Sequence, residues 1–232
     1  MARSSRFKVA AGVLGIAGIG ALIGCQVPVT PWPGSSSATS GAAIETHYSP
    51  DENLEHYDLS LLRSAHKSID LCGFSFTDQA VGAAIESAAR RGVHVRVYLD
   101  RSQSDDELDR AAKHDAQPKP TGRKHDVEFA DGFFSDDAIE PGRTDEAVIT
   151  QLAATPNVEV KIKRSRVLMH LKSYAVDGQT LRSGSANFSP SALKRQDNDL
   201  VVTKDAGSVR RFELDFDQLW SRPDNQRLEP QS

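Results

Sequence analysis

Two side chains that could act on an ester, His170 and Lys172, lie two positions apart, and Ser185 and Asn187 follow with the same spacing. Residues i and i+2 of a β-strand project from the same face of a sheet. An imidazole can attack or protonate an ester, while an ammonium, a hydroxyl and an amide can hold anionic oxygens. These four residue types are therefore suited to a phosphodiester substrate.

Asp177-Gly178, between the two pairs, is typical of a two-residue hairpin loop, because a type I′ turn needs positive φ at both central positions. With these residues in the loop, Val176 pairs with Gln179. Counting outward then places His170 directly opposite Ser185, with the asparagine one diagonal step away. The sequence thus predicts a hairpin that gathers all four side chains on one face of a sheet.

The same residues belong to a longer pattern, His-x-Lys-x4-Asp-x6-Gly-Ser-x-Asn, which is met by His170, Lys172, Asp177, Gly184, Ser185 and Asn187. Through this pattern the chain resembles the phospholipase D superfamily, and especially its branch of small bacterial endonucleases with one motif per chain. The stretch from Ser49 to Asp100 also resembles the first half of that domain. A core hairpin carrying one hydrogen-bonded histidine is the alternative, and it does not account for the full spacing.

The resemblance implies a phosphohistidine intermediate and two motifs that meet at one site. Because this chain contains a single His-x-Lys string, we expect a homodimer with the active site on its two-fold axis. One His170 would attack phosphorus, and His170 of the partner subunit would protonate the leaving group. Lys172, Ser185 and Asn187 would stabilise the equatorial oxygens. No metal and no other cofactor is expected.

Two acidic positions have roles other than holding the phosphate oxygens. Members of the family usually have a Glu that hydrogen-bonds the catalytic histidine, just before the strand that follows the motif. The matching position here is Asp199, and Asp197 is the alternative. Asp177 belongs to the motif, but its place in the turn indicates a structural role.

The order of predicted elements indicates an α/β fold, a mixed β-sheet flanked by helices on both faces, in a phospholipase D-like domain over residues 44–224. Ser49 is predicted to cap a helix that has Pro50 at its first position and runs to about Lys67. Residues 101–146 are predicted to be an insertion, which either covers the mouth of the active site or is a solvated surface segment. Residues 225–232 are predicted to be a disordered tail.

The N-terminal segment has the features of an export signal. Residues 1–24 combine three basic residues with an apolar stretch too short for a confident membrane span. Leu22-Ile23-Gly24-Cys25 resembles the lipobox of bacterial lipoproteins, which implies cleavage before Cys25 and lipidation of its thiol. Residues 25–43 would then be a flexible tether. We expect an exported lipoprotein on the periplasmic or cell-surface side of a membrane, or a secreted protein if the signal is an ordinary one.

Charge and composition narrow the substrate only in part. The chain has 28 basic and 32 acidic residues and a formal net charge of −4, which argues mildly against tight, non-specific binding of nucleic acids. A basic run at 161–166 directly precedes the motif and would attract an anionic substrate. Asp136-Asp137 has no His or Cys at ligand spacing nearby, so zinc is not expected. Cys72 is predicted to be a buried, inert thiol.

Three functions are compatible with these features. The first is a phospholipase D that releases a head group from a phospholipid, which the tether and the negative charge favour. The alternative is a non-specific, membrane-tethered endonuclease acting on DNA or RNA, which the single motif favours. A catalytically silent binding lipoprotein is a weaker alternative, because the catalytic set is intact.

Overall fold

The computed structural model describes residues 43–115 and 147–230. The predicted signal segment, Cys25 and nearly all of the predicted tether lie outside the described residues, as does the part of the predicted insertion from 116 to 146. Within the described ranges, no helix is long and apolar enough to cross a membrane.

An eight-stranded mixed sheet forms the centre of the fold, with the strand order β1-β7-β6-β5-β2-β3-β4-β8. β2, β3 and β4 run parallel to one another, whereas the other neighbours are antiparallel. The strands are β1 Ile44–Ser49, β2 Ser68–Gly73, β3 His94–Leu99, β4 Val158–Lys163, β5 Lys172–Val176, β6 Thr180–Gly184, β7 Asn198–Thr203 and β8 Asn225–Arg227. The helices are α1 Leu54–Arg63, α2 Gln79–Arg90, α3 Arg101–Asp115, α4 Val148–Ala154, α5 Pro190–Lys194 and α6 Ala206–Trp220.

Helices cover both faces of the sheet, as the sequence predicted. Neighbouring residues of a strand point to opposite faces, and in β2 Leu71 belongs to a core with α1, α2 and α4, whereas Cys72 belongs to a second core with α6. Phe216 of α6 is fully buried in that second core. The fold class predicted from the sequence is confirmed.

The hairpin of β5 and β6 has the predicted turn but a different register. Asp177 and Gly178 have φ of 55° and 64°, and the Gln179 amide donates to the Val176 carbonyl at 3.0 Å. Gln179 nevertheless stays in the loop, and Val176 pairs with Thr180. The predicted register, which placed His170 opposite Ser185, is therefore wrong by one residue.

Three other boundaries differ from the prediction. All six residues of β1 pair with β7, so the chain is still extended at Ser49, and Asn53 caps α1 instead, its side chain accepting from the Glu55 amide. The helix ends at Arg63 rather than at Lys67. Residues 225–227, predicted to be disordered, form β8 because they pair with β4 at the edge of the sheet.

The first part of the predicted insertion is a helix rather than a loop. α3 follows β3 directly, and it packs on β4. Glu107 of this helix is buried and accepts a hydrogen bond of 3.1 Å from the amide of Val148, the first residue of α4. Arg164 pairs with Asp105 of the same helix at 2.8 Å. Residues 101–115 are thus an integral part of the domain.

Candidate active site

The imidazole of His170 and the ammonium of Lys172 lie together at the start of β5. The Lys172 Nζ is 3.0 and 3.2 Å from the two ring nitrogens of His170, and it also donates to the His170 carbonyl at 2.8 Å. Lys172 is only 6% exposed, whereas His170 is exposed. The site therefore presents an accessible imidazole that is backed by a buried cation.

Phe74 forms the wall behind this pair. Its ring centroid is 4.5 Å from that of His170, and the Lys172 Nζ lies 4.9 Å from the same ring, close enough for a cation–π interaction. The position follows from the sheet, because Gly73 pairs with Lys172 and the next residue of the β2 end lies beside His170. The sequence analysis did not assign Phe74 to the site. An aromatic residue directly after a buried strand was the available signal.

Burial lowers the pKa of the Lys172 ammonium, because desolvation penalises its charged form. A bound phosphodiester would oppose that penalty by placing a negative charge beside the ammonium. No carboxylate of the described residues forms an ion pair with Lys172. The ammonium is therefore available to bind an anionic substrate.

Asp100 fixes the segment that leads into His170. Its carboxylate accepts a hydrogen bond of 2.8 Å from the Met169 amide, and the other oxygen accepts from the amide and hydroxyl of Ser102. Asp100 is 2% exposed. The sequence analysis did not single out this residue for the site, although an acid between a buried strand and a helix start is a recognisable signal.

Ser185 and Asp199 are held to each other rather than to His170. The Ser185 amide donates to the Asp199 carboxylate, and the Asp199 amide donates to the Ser185 hydroxyl, both at 2.9 Å. Hydrogen bonding from Ser185 lowers the pKa of the Asp199 carboxyl. No hydrogen bond among the described residues joins Asp199 to His170, so the orienting role of Asp199 stays a prediction. Asp197, the alternative, is exposed.

Asn187 has unused hydrogen-bonding capacity. Its amide oxygen is buried and has no partner among the residues that the structure describes. A buried polar atom without a partner is unfavourable, so this oxygen is available to a ligand or to a water molecule. The predicted substrate-binding role of Asn187 is compatible with this position, whereas Ser185 is already bonded within the chain.

Asp177 has the structural role that its turn position indicated. Its carboxylate accepts hydrogen bonds from three consecutive backbone amides, those of His66, Lys67 and Ser68, at 2.7 to 3.1 Å. These bonds tie the hairpin turn to the segment between α1 and β2. Burial alone would raise the pKa of this carboxyl, but the three amides lower it below its usual value.

The basic run before the motif is only partly available to a substrate. Lys161 donates to the Trp220 carbonyl at 3.1 Å and lies over its ring, Arg164 pairs with Asp105, and Lys163 is buried. Arg166 is exposed. The predicted attraction of an anion by this run therefore depends mainly on one side chain next to the motif.

Two negative expectations concern metals and thiols. Among residues 43–115 and 147–230, no group of three or more His, Cys, Asp or Glu side chains is placed to hold a metal ion. Cys72 is buried in β2, and burial raises its pKa well above the ordinary value, which makes the thiol unreactive at neutral pH.

An exposed imidazole beside a buried ammonium, on an open mixed sheet, can act on an anionic ester as a nucleophile or as a general acid. Comparison with known proteins identifies the family. A family model described as "Cardiolipin synthase, PLD-like domain" matches residues 59–220. The chain therefore belongs to the phospholipase D superfamily. Its relatives include proteins that are named cardiolipin hydrolase and phospholipase D.

The curated relatives carry two kinds of name. A mitochondrial cardiolipin hydrolase of Danio rerio is 28% identical over 82% of this chain and 63% of that protein. The human protein of the same name is 24% identical over 71% of this chain but only 50% of its own length. A phospholipase D of Rickettsia bellii is 22% identical over 85% of this chain and 82% of that protein.

Solved structures show the same fold. The phospholipase D family member Nuc from Salmonella typhimurium aligns with a TM-score of 0.58 at 20% identity, over 81% of this chain and 99% of Nuc. NucT from Helicobacter pylori aligns with a TM-score of 0.56 at 18% identity, over 77% of this chain and 96% of NucT. At these identities the comparison establishes the architecture of the domain.

Proposed function

We propose that this protein is a metal-independent phosphodiesterase of phospholipase D type, which hydrolyses the head-group ester of a phospholipid through a phosphohistidine intermediate. The observation that carries the proposal is the position of the Lys172 Nζ, 3.0 and 3.2 Å from the ring nitrogens of an exposed His170. The names of the relatives, cardiolipin hydrolase and phospholipase D, favour a lipid substrate.

The reaction needs two displacements. A ring nitrogen of His170 attacks phosphorus, the bond to the leaving oxygen breaks, and that oxygen takes a proton from an acid on the opposite side. Water then gives a proton to the group that acted as the acid and attacks the phosphohistidine, the P–N bond breaks, and the phosphomonoester leaves. Lys172 and Asn187 hold the non-bridging oxygens throughout, which stabilises the charge that develops on them.

The acid on the opposite side is the reason to propose a homodimer. The chain has one His-x-Lys string, so a second imidazole facing the first would come from a partner subunit. Val167, Leu168 and Leu171, which flank His170, are 72%, 57% and 39% exposed. Apolar side chains clustered on a surface favour association. A two-fold contact there would bury them and bring two His170 side chains together.

The place of action is part of the same proposal. Lipidation of Cys25 would hold the enzyme at a membrane surface, where its phospholipid substrate is concentrated. This supports a lipid substrate more than a soluble one.

A non-specific endonuclease is the second candidate. The motif resembles that of the small bacterial endonucleases, and the exposed Arg166, which precedes His170 by four positions, could contact a nucleic-acid backbone. The same His170 chemistry would serve both substrates, so only the binding surface would differ.

The experiment compares DNA, RNA and vesicles of phosphatidylcholine or cardiolipin in the presence of EDTA, using the full chain in detergent. His170→Ala is the test variant, and His94→Ala is the matched control, since His94 is an exposed histidine in β3. Head-group release that His170→Ala alone abolishes supports the phospholipase. Cleavage of nucleic acid alone supports the endonuclease. Activity that EDTA abolishes and zinc or magnesium restores would contradict the mechanism.

A further inference from the structure

Arg182 and Asp58 form an ion pair that is completely buried. Both side chains are 0% exposed, and the guanidinium meets the carboxylate through two hydrogen bonds, from Nε at 2.9 Å and from Nη2 at 3.0 Å. Arg182 lies in the middle of β6, and Asp58 lies in α1. A bidentate pair of this kind fixes the orientation of the guanidinium.

The third nitrogen of Arg182 contacts the two backbone segments that carry Lys172 and Asn187. Nη1 donates to the Lys172 carbonyl at 2.8 Å and to the Ala186 carbonyl at 3.3 Å. Lys172 carries the ammonium of the site, and Ala186 immediately precedes Asn187. One guanidinium therefore joins the two backbone segments that present the cation and the amide.

The same network extends to Tyr174, two residues after Lys172 in β5. Its hydroxyl donates to the Asp58 carboxylate at 2.9 Å, and Tyr174 is also 0% exposed. The Arg182 guanidinium lies 4.7 Å from the ring of Phe188, the residue after Asn187. Among the described residues, the polar contacts of the Arg182 side chain are thus made with α1 or with a segment that flanks a site residue.

Stability alone is a weak explanation for such a pair. Removing two charges from water is costly, and well-packed apolar side chains of similar volume often stabilise a fold as well or better. A planar, rigid guanidinium, in contrast, can fix several acceptors at defined positions. The hydrogen bonds to Lys172 and Ala186 are what an apolar pair could not supply.

We propose that the Arg182–Asp58 pair positions the active site, by setting the distance between the backbone segments that carry Lys172 and Asn187. Arg182 is then a positioning residue, which contacts no substrate. The proposal rests on the phosphodiesterase function proposed above. Displacing groups that bind a transition state by about 1 Å can reduce a rate by about 100-fold.

The test removes the charges together, because either charge alone would be left buried and unpaired. The variant Arg182→Met/Asp58→Leu, with Tyr174→Phe added to remove the unpaired hydroxyl, replaces the network by apolar groups. The matched control is Arg96→Met/Asp70→Leu. It removes a bidentate pair between β3 and β2, whose two hydrogen bonds are 2.7 and 2.8 Å long. The control pair contacts no backbone next to Lys172 or Asn187.

Hydrolysis of bis(p-nitrophenyl) phosphate gives kcat and KM, and titration with inorganic phosphate gives the affinity of the anion site. We expect the Arg182 variant to keep a cooperative thermal transition, to lose at least about tenfold in kcat, and to bind phosphate more weakly. The Arg96 control should keep both values. Equal kcat and equal phosphate affinity in the two folded variants would overturn the proposal.

Two further outcomes remain informative. If the wild-type chain hydrolyses no diester, the proposed function fails, and the phosphate affinity of the variants alone decides whether the pair positions the site. If the apolar variant does not fold, Arg182→Lys replaces it, since lysine keeps the charge but cannot make the bidentate pair and both carbonyl contacts at once. A loss of kcat no larger than that of Arg96→Lys would then contradict the positioning role.

Discussion

Gly184, the last residue of β6, allows the close packing of β6 against β7 to be tested by substitution. Its φ is +140°, and a Cβ at this position would lie 2.4 Å from the Asp199 carbonyl oxygen and 3.0 Å from the Leu200 Cα. Both neighbours are backbone atoms of β7, so they cannot move aside as a flexible side chain could. Gly184→Ala must therefore strain its own backbone and push β6 and β7 apart.

The cost has two parts, and a second glycine separates them. A side chain at positive φ costs about 1–2 kcal/mol, and forcing extra volume into a packed region costs about 1–3 kcal/mol more. Gly92 has φ +96° with no atom within 4 Å of its ideal Cβ, so Gly92→Ala should cost the first part alone. Gly184→Ala should lower the free energy of unfolding by roughly 2–5 kcal/mol, against about 1–2 kcal/mol for the control.

Urea and thermal denaturation, followed by circular dichroism, measure the difference. For a domain of this size 1 kcal/mol changes Tm by about 2–4 °C, which gives a decrease of roughly 2–8 °C for Gly92→Ala and roughly 4–20 °C for Gly184→Ala. Gly184→Ala should also reduce kcat, because the next residue, Ser185, is bonded to Asp199. Equal losses of stability in the two variants would refute the packing argument.

Three other experiments test separate features of the structure. Asp177→Ala should destabilise the fold by about 1.5–3 kcal/mol at pH 7 while kcat changes little, because the carboxylate binds backbone amides. Since its pKa is lowered in the folded state, this loss should shrink as the pH falls below about 3.9, and urea titrations at pH 7 and pH 3 would check it. Activity that depends on the Lys172 ammonium should be lost as the pH rises. Because burial lowers the pKa of Lys172, the loss in a pH–rate profile should begin below the ordinary lysine pKa of about 10.4. A loss that occurs only above this pH would contradict the role of the ammonium. Phe74→Leu should raise KM for bis(p-nitrophenyl) phosphate more than Phe212→Leu does, because Phe74, unlike Phe212, contacts His170 and Lys172. Equal KM values in the two variants would contradict a role of Phe74 in the site.

The turn between β5 and β6 and the motif could be predicted from local residue types, whereas the register of the two strands could not. Positive φ at Asp177 and Gly178 follows from their residue types, and the structure has it. Whether Gln179 joins the strand or the loop depends on tertiary contacts. The Asp177 carboxylate binds amides at 66–68, more than 100 residues earlier in the chain, and no local pattern reveals that contact.

The same limit explains the misplaced start of the first helix. Ser49-Pro50 has the local pattern of a helix N-terminus, but pairing of β1 with β7 keeps the chain extended to Ser49. The Ser49 hydroxyl donates to the Gln196 carbonyl at 2.7 Å instead of capping a helix. Tertiary hydrogen bonds therefore outweighed the local preference.

The long-range contacts that support the site could not be predicted from the sequence pattern. Asp58 and Arg182 are 124 positions apart, and Asp100 and Met169 are 69 positions apart. Asp100 has a local signal, because it lies between a strand and a helix, but neither its contact with Met169 nor the pairing of Asp58 with Arg182 has one. Only the fold, in which β5 lies between β6 and β2, brings such distant residues together.

The covalent intermediate on His170 is the most direct test of the central claim. The full chain is mixed with bis(p-nitrophenyl) phosphate in EDTA, and the reaction is quenched in alkali because phosphohistidine is stable there. The protein is then digested and its peptides are analysed by mass spectrometry. We expect a nitrophenylphosphoryl adduct on the peptide that contains His170 in the wild type and in His94→Ala, and neither turnover nor adduct in His170→Ala. Unchanged turnover in His170→Ala, or an adduct on another residue, would contradict the central claim.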